Sequence, residues 1–378
     1  MKFLFASDSF KGTISSARTA SLLAEAARDV FPECQWDFVE VADGGEGTVD
    51  AVIAAQKGER VWREVSGPLG ASVSAFYGRI GKGQAVLEMA SASGLPLLNE
   101  AERNPLRTSS YGTGELIRAA LEDGCLSVAI AIGGSATNDG GMGCLRALGV
   151  RFFDGEGCEL SGYGEDLERV QTIDCSGFHP LVAKARFTVM CDVTNPLTGP
   201  NGATYTFGKQ KGADPEMLDR LERGMEHYRQ VLENTFGIDV NTIPGTGAAG
   251  GLGAALLLFL KAELKSGIET VLDLIHFEER LDGVSVVVTG EGRTDWQSAF
   301  GKVVSGVGKR CQKQNIPVIA LSGGLGPGAE TLYQHGITSM MTTVNGPMAL
   351  EEALEHAEEL YLDAARRMFR MLQIGQNL

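Results

Sequence analysis

The chain has 378 residues, 43% of them hydrophobic, and a formal net charge of −15. This length favours two domains, and the apolar share is ordinary for a globular protein that buries a core. The negative charge argues against nucleic acid or an anionic membrane surface as the main partner. Any anionic ligand must therefore find its cationic contacts locally.

Glycine and cysteine usage narrow the class of protein further. The 50 glycines are clustered rather than periodic, which excludes a collagen-like chain and lets backbone approach a ligand closely. The seven cysteines form no CxxC pair, so we expect reduced thiols rather than a disulfide framework or a zinc site. The longest apolar run, Ala254–Leu260, is far shorter than the ~20 residues that span a bilayer. Without a recognisable signal peptide, the protein is expected in the cytoplasm.

The two ends of the chain show the same alternation of strands and helices. The predicted strands there are Lys2–Ala6, Trp36–Val41, Val284–Thr289, Ile316–Leu321 and Ile337–Thr343. The predicted helices there are Ser16–Val30 with Ser15 or Ser16 as its N-cap, a helix through Ala55, and Glu351–Leu372. This alternation is typical of a parallel sheet covered by helices.

The middle of the chain differs from its ends. Antiparallel strands are predicted within Val61–Glu88, further strands at Ser127–Ile132 and Arg186–Cys191, and a charged helix at Met217–Phe236. We therefore predict an α/β protein of two domains. A Rossmann-like domain with a mainly parallel sheet is expected at 1–68 and 286–378, and a mixed α/β domain is expected to be inserted at 69–285.

Six segments place small or charged residues between a predicted strand and a helix. They are Asp8–Gly12, Asp43–Thr48, Gly133–Gly141, Asp192–Pro196, Gly245–Gly253 and Gly290–Asp295. Ligands of open α/β sheets bind outside the carboxyl ends of strands, and helix N-termini attract phosphate or carboxylate. One such segment can be an ordinary turn, but six in one chain predict a ligand site.

The residue types in these segments favour phosphoryl transfer over hydride transfer. A Walker A motif is absent from the sequence, and the histidines lie outside the six segments. Carboxylates can hold Mg²⁺ beside phosphates, and lysine or arginine can neutralise a transferring phosphoryl group. The match to G-x-G-x-x-G at Gly245–Gly250 does not follow a clear strand, so it is only weak support for a dinucleotide site.

At these segments the sequence resembles the glycerate kinase family, of the bacterial D-glycerate 2-kinase type. The motifs that carry the resemblance are Asp8–Gly12, Ala42–Thr48, Glu88–Leu95, Thr108–Leu116, Ile132–Gly141, Cys191–Leu197, Phe207–Gly212, Gly247–Gly253, Thr289–Asp295 and Gly301–Lys302. The family usually has proline before Asp8, where this chain has Ser7. The resemblance implies a two-domain α/β enzyme with its site in the cleft between the domains.

The candidate residues fall into four expected roles. Catalytic roles are expected for Asp192 as the base, with Asp8 as the second choice, and for Lys11 and Arg293 as cations. Substrate contacts are expected from Ser9, Asp43, Glu46, Asn195, Glu291, Asp295 and Lys302. Nucleotide contacts are expected from Gly133, Gly134, Ser135, Thr137, Asn138, Gly247, Gly250 and Gly251. Metal binding is expected from Asp192 and Asp43.

Several of these residues also have a purely structural interpretation. Asp192 can cap an Asx turn, and Asp43 and Glu46 can be helix N-terminal carboxylates. Lys11 and Arg293 can be solvated surface charges, and Ser135 and Thr137 can simply cap a helix.

The leading functional prediction is a Mg²⁺-dependent kinase that transfers the γ-phosphate of ATP to D-glycerate. The resemblance favours 2-phospho-D-glycerate as the product, and a kinase that forms 3-phosphoglycerate is an alternative. The residues are also compatible with an NAD-dependent oxidoreductase and with a non-catalytic module that binds a small anion. The expected partners are D-glycerate and ATP, and the chain is expected to be a monomer or a homodimer.

Overall fold

The computed structural model describes residues 1–10, 12–45 and 47–376. Its strands are β1 (Lys2–Phe5), β2 (Gln35–Phe38), β3 (Glu59–Ser66), β4 (Ser72–Ile80), β5 (Gln84–Glu88), β6 (Ser127–Ala131), β7 (Arg151–Phe153), β8 (Thr172–Asp174), β9 (Arg186–Met190), β10 (Glu263–Lys265), β11 (Val286–Thr289), β12 (Arg293–Thr294), β13 (Val318–Ser322), β14 (Gly324–Leu325) and β15 (Ser339–Thr342). Its α-helices are α1 (Ser16–Val30), α2 (Thr48–Gln56), α3 (Ala90–Ser93), α4 (Tyr111–Glu122), α5 (Met142–Ala147), α6 (Ala203–Phe207), α7 (Pro215–Phe236), α8 (Leu252–Leu260), α9 (Gly267–Leu274), α10 (Phe277–Arg280), α11 (Val303–Gln312), α12 (Leu350–Glu355) and α13 (Ala357–Gln376).

The described residues divide into two compact units. The terminal unit comprises residues up to Asp43 and from Ile268 onward, and the inserted unit comprises the residues from Gly44 to Gly267. These boundaries between the units differ from the predicted domain boundaries, which lay between residues 68 and 69 and between residues 285 and 286. Strand β3 pairs with β4 over its whole length, which places residues 59–66 in the inserted unit. Helices α9 and α10 bond to Arg310 in α11, which places them in the terminal unit.

The terminal unit is built on a parallel sheet, as predicted. The strand order is β15-β13-β11-β1-β2, and every pairing is parallel. Phe3 and Phe5 of β1 are buried and meet Phe369 of α13 edge-on, with ring centroids 5.1 and 6.4 Å away. Because all strands run in one direction, the segments that follow them emerge at the same edge of the sheet.

The inserted unit is built on a mixed sheet, as predicted. The strand order is β10-β9-β6-β5-β4-β3, with β3, β4 and β5 antiparallel and the remaining pairs parallel. The register aligns Glu88 with Ala131 and Ala131 with Met190. The carboxyl ends of β5, β6 and β9 are therefore level, so the segments that follow them start at the same height.

Helix predictions were right where the signal is local. Helix α1 spans Ser16–Val30 as predicted, and the Ser15 side chain accepts a hydrogen bond from the Arg18 N–H. The prediction of one helix at Glu351–Leu372 is wrong, because the structure ends α12 at Glu355 and begins α13 at Ala357. The break at His356 has no proline or glycine to signal it.

Two observations concern cysteines and membranes. All seven cysteines carry free thiols in this structure. Among the residues that the structure describes, no helix combines the length and apolar character needed to cross a membrane.

Arg310 is expected to contribute to the stability of the terminal unit. Its side chain is 12% exposed, and its guanidinium contacts Glu269, Asp273 and Glu278 of α9 and α10. Because Arg310→Met leaves three neighbouring carboxylates without their cation, we expect the free energy of unfolding to fall by about 1–3 kcal/mol. Denaturant unfolding measures this, and Arg18→Met is the control, since the Arg18–Glu358 pair is half exposed. A loss no larger than that of the control would contradict the prediction.

Candidate functional site

A cavity of about 680 Å³ lies in the terminal unit, where β1, β11, β13 and β15 end. Its size is in the range of ordinary small-molecule sites. Seven of the residues proposed from sequence line it: Asp8, Ser9, Asp43, Glu291, Arg293, Asp295 and Lys302. Segments far apart in the chain thus bring their polar side chains to one place. Lys11 and Glu46, which were also proposed, lie outside the described residues.

Backbone hydrogen bonds and one glycine hold the strand-end segments of this cavity together. The N–H of Asp8 donates to the carbonyl of Gly290 at 2.9 Å, which continues the β1–β11 pairing into the loops. A Cβ at Gly290 would lie 1.9 Å from the carbonyl oxygen of Leu321. Only glycine therefore allows the segment after β11 to pass so close to β13.

Lys302 and Asp43 form an ion pair in the cavity, with Nζ and Oδ2 2.9 Å apart. Burial lowers the pKa of Lys302, but the hydrogen bond and charge of Asp43 oppose it. The charges of Glu291 and Asp8 act in the same direction as Asp43, and the pKa of Lys302 is raised overall. Lys302 therefore supplies a positive charge inside a largely acidic cavity.

Glu291 is a cavity carboxyl group that is held in a fixed orientation. The hydroxyl of Thr294 donates to Glu291 Oε1 at 3.1 Å, and that hydroxyl lies 2.7 Å from the hydroxyl of Ser322. Burial raises the pKa of Glu291, and the charge of Asp8 adds to this effect. Hydrogen bonds from Ser298 and Thr294 and the charge of Lys302 oppose it without cancelling it.

Arg293 and Asp295 lie side by side at this cavity. Arg293 Nε is 3.5 Å from Asp295 Oδ2, and the Arg293 side chain is 70% exposed. Asp295 also caps the short 3-10 helix Trp296–Ala299 by accepting from the N–H of Gln297 at 2.9 Å. Arg293 is thus available to a ligand, whereas Asp295 has a structural role as well.

In the inserted unit, two carboxylates and a pair of exposed glycines lie at the carboxyl ends of β5, β6 and β9. Asp192 follows β9, is exposed, and accepts from the N–H of Gly267 at 3.0 Å. Glu88 ends β5 and accepts from the N–H of Val49, near the start of α2, at 3.0 Å. Gly133 and Gly134 follow β6 and are exposed. A carboxylate and bare backbone amides therefore occupy the same edge of this sheet.

Asn195 is engaged within the inserted unit. Its Nδ2 donates to the carbonyl of Asn201 at 2.8 Å and to the hydroxyl of Thr206 at 3.3 Å. These bonds give Asn195 a role in shaping the segment that follows Asp192.

The remaining residues proposed for nucleotide contacts are buried. Thr137 and Asn138 are 0% exposed, and Ser135 is 8% exposed. A Cβ at Gly247 would lie 2.0 Å from the Pro196 carbonyl oxygen, and one at Gly250 would lie 2.1 Å from that of Thr137. Gly251 is also buried, and its Cβ would lie 2.8 Å from the Cα of Gly140. These glycines allow loops of the protein to pack on each other, which leaves Gly133 and Gly134 as the exposed members of the set.

A buried carboxylate anchors the loop that carries Gly133 and Gly134. Asp139 is 0% exposed and accepts from the N–H and hydroxyl of Ser110, both at 2.7 Å. It also accepts from the N–H groups of Gly141 at 3.1 Å and Gly143 at 3.3 Å. Burial raises the pKa of Asp139, and these four hydrogen bonds oppose the rise.

Lys211 was missed as a functional candidate, although it lies in a motif that carries the family resemblance. It is 1% exposed, and its Nζ donates to the carbonyl of Thr137 at 2.7 Å. Burial lowers the pKa of Lys211 to about 7, against the opposing charge of Asp139. Lys211 lies between two glycines of a polar motif, and such a position is typical of a surface residue. No local signal therefore indicated its burial.

Lys211 is expected to make stability depend on pH. An unfolded lysine has a pKa of 10.5 and the folded one about 7, so the unfolded chain binds more protons between these values. The free energy of unfolding should therefore rise with pH in this window, by about 2 kcal/mol between pH 7 and pH 9. Denaturant unfolding at both pH values measures this rise. It should shrink in Lys211→Met and persist in Lys209→Met, since Lys209 is exposed. Equal pH dependence in all three proteins would contradict the prediction.

An apolar wall of the cavity was also missed. It consists of Val344, Met348, Leu350, Ala353, Leu354 and Ala357. Leu350, Ala353, Leu354 and Ala357 recur at helical spacing, and this pattern could have indicated an apolar face. A long surface helix explains the same pattern, so the pattern alone does not assign this face to a site.

The carboxylates fit a metal that arrives with a ligand better than a metal held by protein alone. Within the described residues, no group of three or more histidine, cysteine, aspartate or glutamate side chains is arranged to hold a metal. Mg²⁺ usually keeps several waters and takes one or two carboxylates together with substrate phosphates. Asp43 or Asp192 can serve in that manner.

The α/β scaffold places strand-end carboxylates and local cations around one cavity, and such a set of charges suits a small anionic ligand. A profile of the glycerate kinase family matches residues 3–373. The chain is 45% identical to a glycerate 2-kinase of Escherichia coli K12, over 99% of both chains. It is 43% identical to a glycerate kinase of Bacillus subtilis 168, over 100% of this chain and 99% of that one. A crystal structure from Salmonella typhimurium LT2, provisionally named glycerate kinase 2, superposes with a TM-score of 0.89 at 43% identity, covering 100% of both chains.

The chain therefore belongs to the glycerate kinase family, and it is a kinase. The comparisons give no support to an NAD-dependent oxidoreductase. The structure also removes the basis for that prediction, because the segment Gly245–Gly250 follows the 3-10 helix Val240–Thr242 rather than a strand.

Proposed function

We propose that this protein is an ATP-dependent glycerate kinase that transfers the γ-phosphate of ATP to D-glycerate and forms 2-phospho-D-glycerate. The observation that carries the proposal is the set of carboxylates and cations around one cavity in a chain of this family. The choice of the 2-hydroxyl is supported by the Escherichia coli relative, which is named a 2-kinase.

The proposed transfer breaks one bond and forms one bond at phosphorus. The γ-phosphorus separates from the bridging oxygen, which leaves with ADP, and bonds to the oxygen of the 2-hydroxyl. The proton of that hydroxyl passes to a carboxylate. Asp192 is the proposed base because it is exposed at a strand end, and the Gly267 N–H fixes its Oδ1. A secondary alcohol is a poor nucleophile, so both positioning and proton removal contribute to rate.

The cations would act on the charge of the transferring group. Lys302 and Arg293 line the cavity, and the raised pKa of Lys302 keeps it positively charged. Mg²⁺ bound with ATP would supply further neutralisation of the phosphates. Asp43 and Asp192 are the carboxylates proposed to bind Mg²⁺.

A product assay tests the proposal directly. The purified protein is incubated with Mg-ATP and D-glycerate, ADP release is followed, and the product is identified by phosphorus NMR. Formation of 2-phosphoglycerate supports the proposal, and 3-phosphoglycerate would correct the position of transfer. Tight glycerate binding without ADP release would favour the anion-binding module. Mg-ATP without glycerate is the control for simple ATP hydrolysis.

Arg293→Ala is expected to lower kcat/KM at least tenfold, which corresponds to about 1.4 kcal/mol. The reason is that Arg293 is an exposed cation at a cavity with several carboxylates, so its charge is available to an anionic ligand. Steady-state kinetics measures the effect. Arg370→Ala is the control, because Arg370 is exposed and does not line the cavity. Kinetics like those of the control would show that Arg293 is a surface charge.

A further inference from the structure

The cavity of the terminal unit has two chemically different ends. At the end of β15 it is lined by Val344 and Met348 and by the α12 residues Leu350 and Leu354. At the ends of β11 and β1 it is lined by charged residues, which include Asp8, Glu291, Arg293 and Lys302. Strand order separates the two ends, because β13 lies between β15 and β11. Neighbouring strands are about 4.8 Å apart, so β15 to β1 covers about 14 Å.

The part of the cavity between these ends is formed by nearly bare backbone. Gly323 and Gly324 follow the buried part of β13 and line the cavity. A Cβ built at Gly324 meets nothing within 4 Å, so a side chain there would project into open space. A long, flat ligand can therefore lie across this segment without a steric obstacle.

The apolar end of the cavity is exposed to solvent. Leu350 is 74% exposed and Leu354 is 48% exposed, although both line a concave surface. Covering apolar surface is favourable in proportion to the area that is removed from water. A ligand with an apolar face would gain this free energy, whereas a fully polar ligand would not.

We infer that this cavity takes the nucleotide, with the purine base on Leu350 and Leu354 and the phosphates towards Lys302. Of the two proposed substrates, only ATP joins an apolar ring system to a polyanion. D-glycerate carries a polar group on each of its three carbons and is too small to span both ends. The inference rests on the proposed function. It differs from the expectation that glycine-rich loops of the inserted unit contact the nucleotide while most of the substrate contacts come from the terminal unit.

Binding measurements with two related ligands test the inference. Isothermal titration calorimetry is performed with Mg-ADP and with Mg-tripolyphosphate, which lacks the base and the ribose. Leu350→Asn should raise the Kd for ADP at least tenfold and change the Kd for tripolyphosphate less than twofold. Ile374→Asn is the matched control, because Ile374 is 57% exposed in the same unit and does not line the cavity. It should bind both ligands like the unchanged protein.

A second variant adds a side chain to the backbone segment that lines the middle of the cavity. Gly324→Val places a side chain into the open space above β13, and circular dichroism checks that folding is retained. ADP affinity should fall at least tenfold in this variant too. Unchanged ADP affinity in both variants would overturn the inference, and a raised KM for D-glycerate would then assign the cavity to the acid. Because ADP binding needs no turnover, the ADP affinities test the inference whether or not the protein phosphorylates glycerate.

Discussion

Asp192→Asn is expected to lower kcat by roughly 10²–10⁴-fold, which is the usual contribution of general acid–base catalysis. The substitution keeps the shape of the side chain and removes its charge. The amide oxygen can still accept from the N–H of Gly267, as Oδ1 does at 3.0 Å, so the segment after β9 should keep its conformation. ADP affinity measured without Mg²⁺ should therefore stay within a few-fold, while kcat falls. Steady-state kinetics and calorimetry measure the two effects separately.

The second candidate for the base provides the comparison. Asp8→Asn tests the carboxylate that follows β1, and Asp282→Asn, at an exposed position outside the strand-end segments, is the control. If Asp192→Asn turns over within a few-fold of the unchanged enzyme and Asp8→Asn does not, the role of base belongs to Asp8. Activity in both variants would show that the transition state is loose enough to need positioning alone.

Local sequence signals predicted much of the scaffold. The apolar spacing and the Ser15 cap located α1, and β-branched runs located β11 and β13. Both kinds of signal depend on residues a few positions apart, so they can be recognised without knowledge of the fold. The division into units was harder to predict because it depends on pairing between β3 and β4 and on contacts of α9 with α11.

The residues of the candidate site were likewise predictable only where the sequence signal is local. Carboxylates beside glycines at strand ends indicated Asp8, Asp43 and Glu291, because parallel strands end at one edge of a sheet. The apolar wall around Leu350 could not be assigned to the site, since nothing local shows that α12 faces the ends of the same strands. The burial of Lys211 could not be predicted from the sequence either, because it depends on loops from several motifs that cover one side chain.

Activity is expected to disappear in excess EDTA and to return when Mg²⁺ is added. The cavity of the terminal unit is lined by the carboxylates of Asp8, Asp43, Glu291 and Asp295. Among the described residues, its cations are Lys302 and Arg293, and Lys302 is already paired with Asp43. A triphosphate brings several further negative charges, which repel these carboxylates unless a divalent cation accompanies it. Rates measured against free Mg²⁺ concentration give the concentration for half-maximal activity.

The role of Asp43 in this requirement is tested by Asp43→Asn. If Asp43 helps to hold the metal, its loss should raise the Mg²⁺ concentration for half-maximal activity several-fold. Asp37→Asn is the control, because Asp37 is a half-exposed partner of Arg280 and does not line the cavity. An unchanged Mg²⁺ requirement with a lower kcat would assign Asp43 to the orientation of Lys302 instead. Full turnover of the unchanged enzyme in chelator would contradict the metal requirement itself, since the protein cations would then be sufficient to neutralise the phosphates.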